Sequence, residues 1–274
     1  MRTHAMSLSK RTRFFVACHD GDAVRVTEAV ETMRTQLDEV CVTTGAALAT
    51  ARGHVDVLAL LVASSEQANR PVVPSGGCRD AMLRMKRTVA SGLRAIEGRT
   101  LLMHACVCRK HACAAHLLAC GADVDAADIV AEKMTALTMC CKGGVTNLAA
   151  LLVDSGASVD GTRASFWPIA VAANNRSEGC CRLLLERGAT LAPLASLGWC
   201  GNRIELMVRR AALLRASGTF SLDWTPRTHF LFPRGDRMEL SRCGLAALRV
   251  TRAWSLPDDV ALRVVTLLAR ALHT

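Results

Sequence analysis

The sequence predicts an all-α fold, a solenoid of short helix pairs, and three observations carry the prediction. A block of residues recurs at a near-constant interval. Aromatic residues are only 4% of the chain, with no Tyr, while 51% of residues are hydrophobic. The apolar positions fall at helical rather than alternating spacing. A core built mainly from Ala, Leu, Val and Cys needs elements that approach closely, and helix pairs meet that need better than stacked sheets, which favour β-branched and aromatic residues.

The recurrence is clearest in the middle of the chain. Thr100-Leu101-Leu102-Met103-His104-Ala105 is followed by Leu117-Leu118 and Gly121-Ala122. The frame returns as Thr135-Ala136-Leu137, Leu151-Leu152 and Gly156-Ala157, and again as Trp167-Pro168-Ile169, Leu184-Leu185 and Gly188-Ala189. The opening residue and the glycine are 21 residues apart in each copy. Thr at the opening is suited to cap a first helix, the Leu pair to pack a second helix against it, and Gly to end that helix in a left-handed residue. Two looser copies precede these: Thr12, Phe14, Ala17 and Gly21-Asp22, then Thr44, Ala49, Gly53-His54 and Leu60-Leu61.

This pattern resembles the ankyrin repeat, whose period is about 33 residues with a T-P-L-H-x-A opening. The resemblance implies about five repeats covering most of residues 12–195, with Gly53-His54 matching the family's inter-helix Gly-His. The His slot of the opening holds Phe15, Ala47, Met103, Thr138 and Ala170, while His104 sits one place late. The neighbour interfaces are therefore expected to rely on apolar packing.

The expected organisation is a basic N-terminal tail at 1–11, degenerate repeats at 12–63, an insertion at 64–98, repeats at 99–195, and a C-terminal helical cap at 196–274. Within the insertion, Ser64 to Gly77 is polar with Pro71 and Pro74, which predicts a surface excursion. Arg79 to Ile96 spaces Met82, Leu83, Val89, Leu93 and Ile96 as an extra helix would. Ile204 to Ala216 reads as a further amphipathic helix. Ser255-Leu256-Pro257-Asp258-Asp259-Val260 resembles the opening helix of an F-box, with Leu256, Pro257, Val260 and Val264 as the residues that would dock on a cullin-ligase adaptor. The plainer reading of the same helix, and the one expected here, is a cap over the end of the stack.

The net charge of +10 is concentrated at the ends: residues 1–13 carry four basic residues and no acid, and residues 201–274 carry twelve Arg against six acids. Such ends could meet an acidic partner. The Arg residues lack aromatic interleaving, so no sequence-specific nucleic-acid partner is expected.

Thirteen Cys among apolar helical patterns read as reduced core thiols of a cytoplasmic or nuclear protein. No apolar run reaches the roughly 18 residues of a membrane span. His104, Cys106, Cys108, His111, Cys113 and His116 are zinc-ligand types without ligand spacing, and no C-x-x-C occurs among them, so no metal is expected. No nucleophile elbow or phosphate loop appears, so no catalytic residues and no cofactor are implied.

The expected function is binding of an as yet unidentified protein by a monomeric scaffold. By resemblance to the family, the partner would lie across the loop tips and the inner faces of the first helices. The candidate contacts are Met103, His104, Asp128, Lys133, Thr138, Lys142 and Asn174. The alternative is a substrate adaptor of a cullin-type ubiquitin ligase acting through the F-box-like helix.

Overall fold

A computed structural model of the chain describes residues 2–33, 37–73, 98–128, 134–162 and 166–190, with a few helical positions between 204 and 212 and at 242. The described residues form helices and loops with no strand; a single isolated bridge joins Ala127 to Thr135. The helices are α1 (Arg2–Asp20), α2 (Ala23–Thr32), α3 (Glu39–Arg52), α4 (Val55–Leu61), α5 (Ser65–Asn69), α6 (Leu101–Val107), α7 (His111–Ala119), α8 (Ala136–Gly143), α9 (Thr146–Asp154), α10 (Pro168–Asn174) and α11 (Glu178–Glu186).

Local chemistry sets their limits. Thr100 and Thr135 each accept a hydrogen bond from a backbone N–H three residues on, Met103 at 3.4 Å and Thr138 at 3.3 Å, and so start α6 and α8. Asp38 starts α3 in the same way, accepting from Cys41 N–H at 2.8 Å. The expected opening Thr44 therefore lies inside α3, where its hydroxyl donates to the Val40 carbonyl at 2.6 Å. Likewise Thr12 lies inside the long α1 rather than at its start.

The second helices α7, α9 and α11 end alike. Gly121, Gly156 and Gly188 have φ of +83°, +94° and +89°, and the following Ala122, Ala157 and Ala189 donate back to Leu117, Leu152 and Leu184 at 2.9–3.0 Å. Replacing each glycine with Val should lower stability by about 1 kcal/mol or more through left-handed strain alone. Gly121 should suffer most. A Cβ there would sit 3.2 Å from the Ser65 Cβ, whereas at Gly156 and Gly188 it meets nothing within 4 Å. Urea denaturation of the three variants checks both the size and the order.

The helices stack in two rows. The first helices α1, α3, α6, α8 and α10 pack each on the next; the second helices α2, α4, α7, α9 and α11 form a parallel row behind them. α3 touches α6 and α4 touches α7 directly, so the stack continues across the long interval between them. At the base of that interval Val72 N–H donates to Arg99 C=O and Gly98 N–H to Val72 C=O, both at 2.9 Å.

Part of the expected surface excursion is built into the stack. α5 packs on α6, Ala68 and Val72 are fully buried, and Asn69 bonds the backbone of Gly121 and Asp123. The proposed helix over 79–96 lies outside the described residues.

First helices held on several sides bury nearly everything. Leu101 to Cys106 of α6 and Ala136 to Cys141 of α8 are each six consecutive buried residues. Only small or slender side chains fit such crowding, which accounts for the Ala, Leu and Cys content. At α1 and α3 the contact is closer still: Gly45 lies where a Cβ would come within 2.8 Å of the Phe14 ring. Cys18, Cys106, Cys113, Cys140, Cys141, Cys180 and Cys181 are all buried. Burial pushes the Cys18 thiol up to about 12, and hydrogen bonding with Cys106 together with burial raises Cys140. Cys18 and Cys140 thus stay protonated and pack as small hydrophobes, whereas the hydrogen bond with Cys141, helped by Thr146, lowers the Cys180 thiol to about 7. Ile204, Met207, Val208 and Ala211, spaced as one face of a helix, join the same core.

Polar bridges also tie neighbouring pairs. On the edge where one pair passes to the next, Asp125 accepts from Ser158 N–H at 3.0 Å, and Asp160 accepts from Thr190 N–H and hydroxyl at 2.6 Å. On the opposite edge, within the turns between paired helices, His54 Nε2 bonds His19 C=O, Arg109 donates to Gly143 C=O, and Ser177 Oγ donates to Cys141 C=O at 2.8 Å. Neighbour interfaces thus combine apolar packing with hydrogen bonds from side chains other than the expected opening His.

Candidate protein-binding surface

The stack presents two long edges, which differ in their residues. The hairpin edge holds the amino ends of the first helices, the carboxyl ends of the second helices and the loops between pairs. The turn edge holds the turns within pairs.

Of the expected contact residues, Met103, His104, Asp128 and Thr138 are buried. Met103, His104 and Thr138 have no surface to offer, because the first helix is enclosed by its neighbours on both sides as well as by its own second helix, and Asp128 is held in the loop before α8. Thr138 spends its hydroxyl on the Thr135 carbonyl at 2.8 Å, and Asp128 accepts from Arg99 Nε at 3.4 Å while its N–H donates to Met134. His104 hydrogen-bonds the Ala47 backbone of the preceding pair, and burial drives its imidazole down to about 4. It is a neutral, interface-spanning core residue. Lys142 and Asn174 are exposed at the carboxyl ends of α8 and α10, on the turn edge. Lys133, Leu256, Pro257, Val260 and Val264 lie outside the described residues.

The expected set is thereby divided between core and turn edge, and the hairpin edge supplies a feature the frame alone did not single out. Phe166 and Trp167, immediately before α10, are 54% and 44% exposed. Trp167 occupies the place of Thr100 and Thr135, and it makes no capping hydrogen bond to α10. The sequence signal was present: the third copy departs from Thr at its opening and carries a second aromatic beside it, in a chain with few aromatics.

The Cys and His cluster is dispersed by the fold. Cys106 and Cys113 point into the core, His111 is exposed, and His116 with Cys120 faces the Val62 carbonyl across the interface to α4. Among the described residues, no three or more His, Cys, Asp or Glu side chains gather as a metal set. Among the same residues no helix is long and apolar enough to cross a membrane.

A search of curated proteins returns no match. Residues 102–192, about a third of the chain, match the family model for ankyrin repeats in three copies. That span coincides with the pairs α6–α7, α8–α9 and α10–α11, the three copies of the Thr/Trp-to-Gly frame. Ankyrin repeats are a protein-interaction module, generally without catalysis. By its repeating frame, its two rows of helices and this match, the stretch 102–192 carries three ankyrin repeats.

Proposed function

We propose that the chain is a protein-binding scaffold whose partner docks on the hairpin edge around Phe166 and Trp167. One observation carries this. Where the two preceding copies place a capping Thr, the third gives up the cap and exposes two aromatic side chains instead. A missing cap costs about 1 kcal/mol, and exposed aromatics add no stability in return. Trp at the centre of an interface is among the side chains that contribute most to binding. Both penalties are repaid when a partner covers the tip.

The helices α1–α4 extend the same two rows ahead of the matched span, which supports two further, degenerate repeats there. A stack of five repeats would give the partner a longer surface than the three matched copies alone.

Trp167→Thr tests the proposal because it should move stability and binding in opposite directions. Restoring the Thr-Pro opening should raise stability by about 1 kcal/mol. Affinity purification from the native cell should at the same time lose a protein that wild type recovers. Retention of every wild-type partner by the more stable variant would refute the docking site. Recovery of cullin components that disappears on deletion after Trp254 would instead support the ligase-adaptor function through Leu256, Pro257, Val260 and Val264.

A further inference from the structure

We infer that the turn edge of the stack, from α3 to α11, is a second docking surface, fitted to an acidic and extended segment of a partner protein. This goes beyond the hairpin-edge site, which lies on the opposite side of the stack and is aromatic rather than charged.

Three observations carry it. First, every turn within a pair from α3–α4 onward holds a cation: Arg52, then Arg109 with Lys110, then Lys142, then Arg176. Arg52, Arg109, Lys142 and Arg176 are exposed and Lys110 is half-buried, while among the described residues the same stretch of the edge carries only Asp56 and Glu178 as acids. Because the helix pairs stack in register, these charges form a line with roughly one cation per pair.

Second, Arg109 and Arg176 stand in left-handed backbone, with φ of 58° and 55°, at the turn position that Gly21, Gly53 and Gly144 fill in the other pairs. Glycine adopts that conformation freely and arginine does not. Two pairs thus hold a charged side chain where the backbone favours none, and strained residues that persist in this way point towards function.

Third, charge is segregated across the stack. From α3 onward the hairpin edge carries Asp38, Glu39, Glu66, Asp123, Asp125, Asp128, Asp154, Asp160 and Glu186 against Arg70, Arg99 and Arg187 among the described residues. An acidic segment is repelled there and drawn to the turn edge, so charge alone orients it.

A peptide fits better than a nucleic acid. The exposed aromatic pair lies on the other edge, so among the described residues bases laid along the turns would find no Phe or Trp to stack on. Carboxylates on an extended chain need only meet cations placed singly along a line.

The same strain supplies a clean test. In the full chain, Arg109→Gly with Arg176→Gly removes two charges from the edge, and the relief of two left-handed residues offsets the lost Arg109–Gly143 hydrogen bond, so the melting temperature should stay close to that of wild type. Binding of a fluorescein-labelled oligoglutamate peptide, followed by anisotropy at low ionic strength, should weaken about fivefold, as expected for the loss of two exposed charge contacts. The control pair Lys10→Gln with Arg13→Gln removes two charges elsewhere and should leave affinity within about twofold. Equal weakening by the control pair would overturn the inference, since net charge and not the edge would then bind the peptide. Unchanged affinity in the double glycine variant would overturn it as well. So would tighter binding of a single-stranded oligonucleotide that the double glycine variant also weakens. Trp167→Thr should leave oligoglutamate binding intact, which separates this surface from the hairpin-edge site.

Discussion

Lowering the pH from 7 to 4 should remove about 3 kcal/mol of stability through His104 alone. The imidazole sits between α6 and the backbone of Ala47, and burial, with the charge of Arg99 adding to it, depresses it from 6.5 to about 4 in the folded chain. The unfolded chain therefore takes up a proton as pH falls through 6.5, while the folded chain resists until about 4. Across that window the unfolded state binds more protons, so stability is fully present above pH 6.5 and is lost as pH falls towards 4. Urea denaturation of wild type and His104→Gln at several pH values between 7 and 4 measures the difference. Wild type should lose about 3 kcal/mol more than the variant over this range. Parallel pH profiles would place His104 in contact with water.

Leu137→Ala should cost about 3 kcal/mol, within the range for emptying a fully buried leucine site, and should shift the whole unfolding transition. Leu137 is buried in α8, which packs on α6, α9 and α10, so its loss weakens interfaces in the middle of the stack. Phe14→Ala removes a larger buried side chain from α1, yet among the described residues α1 packs mainly on α2 and α3, at one end of the described stack. In a linear array of neighbour interfaces, damage to an end pair releases that pair first. The Phe14 variant should show an early partial loss of helical circular dichroism followed by a main transition near that of wild type. Equal, single shifts for both substitutions would mean that the stack unfolds as one unit.

The repeating frame was legible because its signals are local. A capping Thr, a pair of Leu and a left-handed Gly act within one helix pair, and all three recur at fixed spacing. The start of α3 was also written locally, in Asp38 followed by Glu39, but Thr44 fitted the family opening and drew attention from it. What the sequence concealed depends on neighbours far along the chain. Periodicity assigns a helix one buried face, so Met103, His104 and Thr138 looked available to a partner. Their burial comes from flanking first helices that no local pattern reveals. Asn69 likewise gave no sign of its role, because its partners are the backbone of Gly121 and Asp123. Trp167 looked like a departure from the repeat, and its exposure gives that departure a meaning.

The clasp between Val72 and the backbone of Gly98 and Arg99 has an implication for how this gene can vary. With α3 seated on α6 and α4 on α7, the intervening chain need only leave and return at one point. Its length enters stability weakly, through a logarithm of the number of residues in the loop. The closure of the clasp itself therefore tolerates changes in the number of residues between Val72 and Gly98. For the protein engineer the same point is a socket: a small reporter domain whose own termini lie close together could be spliced in there, with the clasp holding its two ends.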